Sequence, residues 1–126
     1  MVEERLEDGR RIAQLLASEI DGRTDGMLAR LSVVDADREV EPTVDGAFAY
    51  GIEADGERLA DVHVHPERAH LEFELESTQA AVVDAADREG LRVRPKAVVP
   101  PRTLVFLEDG AQVKRALATI EAALAG

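Results

Sequence analysis

A chain of 126 residues with 26 Asp plus Glu against 15 Lys plus Arg carries a formal charge of -11, which opposes binding to nucleic acid or anionic lipid. It has no cysteine, so disulfides, thiolate chemistry and cysteine-ligated zinc are excluded. With one Tyr and three Phe, the core falls to Val, Leu, Ile and Ala, and the length suits a single domain over residues 1–126.

Only Lys96 and Lys114 among the cationic side chains are lysines; the rest are arginines. An acid excess joined to a lysine deficit suits the cytosol of an extreme halophile, where the Debye length at molar salt is about 3 Å and carboxylates are screened from one another. The chain opens on acidic residues, Glu3 and Glu4, and no apolar run reaches the roughly 18 residues that a membrane span needs. A cytoplasmic location with no membrane contact is expected.

In chain order, Leu6, Ala13, Leu16 and Ile20 at helical spacing predict a first helix over residues 3–20, with Asp8-Gly9 an early break and Gly22 its stop. Met27 to Val34 reads as a strand, and the acidic segment from Asp35 to Gly46 as an exposed loop. Three alternating runs follow: Phe48, Tyr50, Ile52; Ala60, Val62, Val64; and Leu71, Phe73, Leu75. They predict an antiparallel meander with one apolar face. A bulged three-residue turn at Ala54-Asp55-Gly56 is preferred to a two-residue Asp55-Gly56 turn. It sets Phe48 against Val62, whereas the shorter turn sets Phe48 against His63 on a polar face. A loop from Pro66 to Ala69 pairs His65 with His70, Val64 with Leu71 and Val62 with Phe73.

Ser77 is the expected cap of a second helix that runs to about Glu89 with Ala80, Val82, Val83 and Ala86 inward. Leu91 to Val99, with Pro95 inside it, reads as an edge or kinked strand, and Arg102 to Leu107 as its neighbour. Asp109 with Gln112 forms a capping box for a last helix whose stripe is Val113, Ala116, Leu117, Ile120 and Leu124. The expected fold is an α+β two-layer sandwich: an antiparallel sheet, built from the meander plus a hairpin, covered by helices.

Without the Met27 strand, this element order resembles the type III secretion chaperone-like fold over roughly residues 3–125. The resemblance implies a homodimer that holds segments of partner proteins. The chain is also similar to small, acidic, uncharacterised haloarchaeal proteins, a class that implies no activity.

For chemistry, the three histidines His63, His65 and His70 project from one sheet face, with Glu72 beside them. Imidazole and carboxylate suit zinc or another divalent metal with a position open for water. Ala47, Ala49 and Gly51 keep that face low. A second candidate is the basic stripe Arg92, Arg94 and Lys96 with Arg102, where an anionic ligand or an acidic partner patch could bind. No glycine-rich phosphate loop and no nucleophile motif is present, so no catalytic residue is assigned. The leading expectation is a non-enzymatic protein-binding module that works as a homodimer. A metal-binding protein or metal-dependent enzyme centred on the histidines is the alternative.

Overall fold

The computed structural model describes residues 8–23, 26–74 and 76–125. Asp8 caps the first helix, α1 (Gly9–Asp21), by accepting a 3.2 Å hydrogen bond from the Arg11 amide. The helix therefore starts at the expected break, and Leu6 lies outside the described residues. Ile12, Leu16 and Ile20 stack at helical spacing on its buried side.

Six strands form one antiparallel sheet: β1 (Leu31–Val34), β2 (Ala47–Ala54), β3 (Glu57–Val64), β4 (Ala69–Phe73), β5 (Arg92–Lys96) and β6 (Arg102–Leu107). Their spatial order is β1-β2-β3-β4-β6-β5, so β6 separates β4 from β5 and leaves β5 as an edge. Pro95 is tolerated there because an edge strand has donors to spare. Of the expected Met27 strand, the first part is a 3-10 turn over Met27–Arg30. The Asp35 to Gly46 segment is mostly exposed, but Val40 is buried and the Asp37 amide bonds the Ala49 carbonyl at 2.8 Å.

Both hairpin registers differ from expectation. Asp55 and Gly56 have φ of 53° and 84°, the positive values of a two-residue primed turn, so Ala54 pairs with Glu57. Two bulges then reset the parity. Leu59 is the extra residue on β3, which brings Ile52 opposite Ala60 and Tyr50 opposite Val62. Ala49 is the extra residue on β2, which returns Phe48 to His63 on the polar face. In the next hairpin the loop is 65–68, and His63 faces His70, Val62 faces Leu71 and Ala60 faces Phe73. That is a slip of two residues from the expected pairing, which changes partners but keeps every side chain on its face.

The helices α2 (Gln79–Arg88) and α3 (Val113–Ala125) join α1 on one side of the sheet. Thr78, one residue beyond the expected Ser77, occupies the cap position of α2, and Val82, Ala85 and Ala86 are its buried residues. Ala80 is exposed and Val83 half-buried. Gln112 accepts the Glu108 amide at 2.8 Å, so the α3 cap closes one residue earlier than a standard capping box. Val62, Leu71, Val105, Ile12, Leu16, Val82 and Ile120 meet in one core between the layers. Tyr50 is the polar exception. Its hydroxyl donates to the Ala13 carbonyl at 2.7 Å, and burial pushes its pKa up, so it stays protonated. The opposite sheet face carries no helix among the described residues. None of the described helices is long and apolar enough to cross a membrane.

Candidate metal centre

Strand parity sends His63, His70 and Glu72 to the face without helices, yet His70 and Glu72 are only 3% and 2% exposed. Neighbouring side chains bury them. Phe48 meets His63 edge-on at 5.9 Å, Phe106 lies 5.5 Å from His70, and the His63 and His70 rings stack at 4.9 Å with 10° between their planes. The chain before β2 closes over the imidazoles, held by the Thr43 amide on the Val64 carbonyl. Gly46 makes this approach at φ 97°, and a Cβ on it would lie 3.0 Å from His70 Cε1 and 3.1 Å from His65 Nε2.

Proton bookkeeping across the cluster exposes a gap. The Val44 carbonyl can only accept, so His65 Nδ1 carries the hydrogen of their 2.8 Å bond. Burial lowers the His65 pKa, and the neutral ring then presents a lone pair at Nε2. His70 Nδ1 therefore donates to it across 2.8 Å. Burial first, then the His63 and His65 rings, push the His70 pKa down to about 4, so its Nε2 also ends in a lone pair. That lone pair points at Glu72 Oε1, 3.4 Å away. Burial on its own would raise the Glu72 pKa, but Arg102, His63 and Lys96 outweigh it and hold the carboxylate anionic. His63 Nε2, buried and without a hydrogen-bond partner, lies 3.9 Å from the same oxygen. The His70 lone pair and an anionic carboxylate oxygen thus face each other with no proton between them, and the unpartnered His63 Nε2 lies beside the pair.

One ligand atom from each of His63, His70 and Glu72 lies within 4.8 Å of the others. Tetrahedral zinc with bonds of about 2.0–2.1 Å needs ligand atoms about 3.3 Å apart. The His70–Glu72 separation of 3.4 Å already meets that, whereas His63 Nε2, 3.9 Å from the same oxygen, joins the set only if its ring turns out of its stack on His70. Arg102 holds Glu72 Oε2 and also binds Glu74, so Oε1, which Lys96 reaches at 3.3 Å, is the oxygen turned to the imidazoles. His65 is not a ligand in this arrangement, contrary to expectation. The two-residue slip puts His63, not His65, opposite His70. His65 instead fixes the His70 tautomer from behind, the usual role of a group behind a metal-bound imidazole.

The basic stripe shares one face, as its parity implies, but its members have different partners. Arg92 pairs with Glu108 at 3.1 Å, and Lys96 reaches Glu72 at 3.3 and 3.4 Å. Arg94 makes no ion pair with any described residue and lines the cleft above the histidines with Lys96. Ala47 turns to the core side opposite Val64, and Gly51 is crossed by the Arg58 guanidinium, which binds Asp61 and Asp35 at 2.6 Å each. The low patch is filled from within the chain. Alternation gave no signal for Val44, which contributes only a carbonyl, or for Phe48, whose face depends on a bulge. Gly46, next to the predicted strand, was the available hint.

The fold and site together define a two-layer α+β sandwich with a buried histidine–carboxylate cluster on the sheet face that carries no helix among the described residues. Residues 1–126 match the model of DUF7993, a family of unknown function, and the chain belongs to that family. No curated protein and no solved structure matches it significantly.

Proposed function

We propose that this protein binds a divalent transition-metal cation, zinc being the best fit, through His63 Nε2, His70 Nε2 and Glu72 Oε1. The observation that carries this is the gap in the proton inventory: the relay from Val44 through His65 leaves His70 with a lone pair facing an anionic oxygen. A cation between them turns repulsion into ligation. Imidazole plus carboxylate selects zinc or a neighbouring divalent ion over magnesium or calcium, which prefer all-oxygen sites. The fourth position opens to the cleft. Lysine deficit and acid excess support a salt-rich cytosol as the setting.

Protein isolated without a histidine tag in molar KCl is expected to hold one divalent ion per chain by elemental analysis. Chelation should lower its melting temperature, by the linkage that any ligand bound only to the folded state imposes. A metal-free protein whose melting ignores both chelator and zinc would sink the proposal and leave a proton on His63 as the filler of the gap.

A second reading, a homodimeric module that binds a protein segment, draws on the sheet face that no helix covers and on half-buried Phe48 and Leu104 upon it. Strand addition is the less favoured route. Edge strand β5 is broken by Pro95 and lined by Arg92, Arg94 and Lys96, while β1 has only four residues. An elution mass of a single chain at high salt would dismiss the dimer.

A further inference from the structure

We infer that the cleft above the histidine cluster takes a small oxyanion, a carboxylate or a phosphate group, bridging the metal's open position and the cationic side chains of β5. This rests on the metal reading above. The cleft has a volume of about 430 Å³, in the range of sites for small molecules rather than macromolecular surfaces. On a chain of charge -11, its lining is cationic: Arg68, Arg94 and Lys96 against Asp45 and Glu72.

These cations differ in what they are free to do. Arg68 is committed, stacked 4.3 Å from the Phe106 ring centroid and 3.6 Å from Glu108. Arg94 is exposed, and among the described residues it has no ion-pair partner, so its planar fork of donors faces the cleft mouth uncommitted. Lys96 is the switchable one. Its ammonium lies 3.3 Å from Glu72 Oε1, the oxygen the metal would take, and its side chain is 43% exposed. A dication on Oε1 repels the ammonium, and the flexible lysine stem lets it swing toward the cleft. There it meets Arg94 from the neighbouring same-face position of β5. One oxygen of the ligand completes the metal's coordination, and the others accept from Arg94 and Lys96. No covalent bond of the ligand is made or broken.

Cobalt(II) serves as the probe, because its visible spectrum reports changes in its coordination. The cobalt-loaded full chain, in molar KCl at fixed chloride, is titrated with inorganic phosphate and separately with acetate. A saturable spectral change is expected with at least one of them. A response to phosphate alone assigns phosphate compounds as the ligand class, and a response to acetate assigns carboxylates. Arg94→Ala should keep the cobalt spectrum while weakening the anion response roughly tenfold, the loss of one charged hydrogen-bonding group. Arg88→Ala, a change to an exposed arginine outside the cleft, should leave both unchanged. A cobalt spectrum that ignores both anions, or an Arg94→Ala response equal to the parent's, overturns this inference alone. No cobalt spectrum at all overturns the metal reading, and this one with it.

Discussion

Glu72 decides the behaviour of the site at the scale of single residues. A buried carboxylate is costly unless paired, and Arg102 on the adjacent β6 and Lys96 on the edge strand β5 provide the pairing. Lys96 and the metal compete for the same oxygen, so Lys96→Met should tighten zinc binding. A partly exposed ion pair is worth at most about 1 kcal/mol, which sets the gain at roughly fivefold. Competition titration against a chromogenic chelator reads it, and unchanged affinity would show that the ammonium does not guard the site. His70 yields a pH prediction for the metal-free protein. Its folded pKa of about 4 lies below the ordinary 6.5, so the unfolded chain binds a proton that the folded one refuses between those values. Stability is intact above 6.5 and falls as pH drops toward 4, by about 3 kcal/mol for this group. Glu72, also depressed, acts in the same direction at lower pH. Urea unfolding at pH 7 and pH 4.5 in high salt should give a clearly shallower loss for His70→Asn than for the parent; equal losses would contradict the assignment.

At the scale of elements, local pattern and local exception divided what could be read in advance. The helices, the strand runs, the edge position of β5 and the choice of core face were legible, because 3.6- and 2-residue periodicities survive in Leu16, Ile20, Val62, Val64, Leu71 and Phe73. The pairing of strands was not. Alternation identifies a face but not a partner, so a slip of two residues in the second hairpin was invisible, and so were the bulges at Leu59 and Ala49. Parity alone put His63, His70 and Glu72 on one face, where the structure has them, while the slip changed which histidine lies opposite His70. What anchors the true register is partly a contact from outside the sheet. Gly9, at the start of α1, lies so near the 65–68 loop that a Cβ on it would fall 2.5 Å from the Arg68 carbonyl oxygen and closer still to that of His65. Both obstacles are backbone and cannot rotate away. Gly9→Ala should therefore cost about 3 kcal/mol, near the upper end for overpacking. The expected sign is a lower urea midpoint with an unchanged slope; an unshifted midpoint would mean that the helix start is free to move off the loop.

For the whole molecule, charge sets the conditions under which any of this can be measured. Two effects of salt oppose each other. Screening weakens the ion pairs that Arg58 makes with Asp61 and Asp35 and that Arg30 makes with Asp55, but these are partly or largely exposed and contribute about 0–1 kcal/mol each. Screening also relieves repulsion among 26 carboxylates that outnumber the cations by 11, and that repulsion extends over the whole surface. Moving from molar salt to about 0.1 M lengthens the Debye length from about 3 to about 10 Å, so carboxylates that ignored one another begin to interact. Repulsion should win, and the melting temperature should fall by on the order of 10 °C. Potassium chloride is the appropriate salt, since sulfate would add stability through exclusion from apolar surface and confuse the cause. Sucrose separates the two further. It strengthens burial without screening, so it should recover less of the lost stability than potassium chloride does. A melting temperature that stays level down to 0.1 M salt would mean that the carboxylates are spaced widely enough, or paired well enough, for the acid excess to carry no dependence on a salt-rich interior.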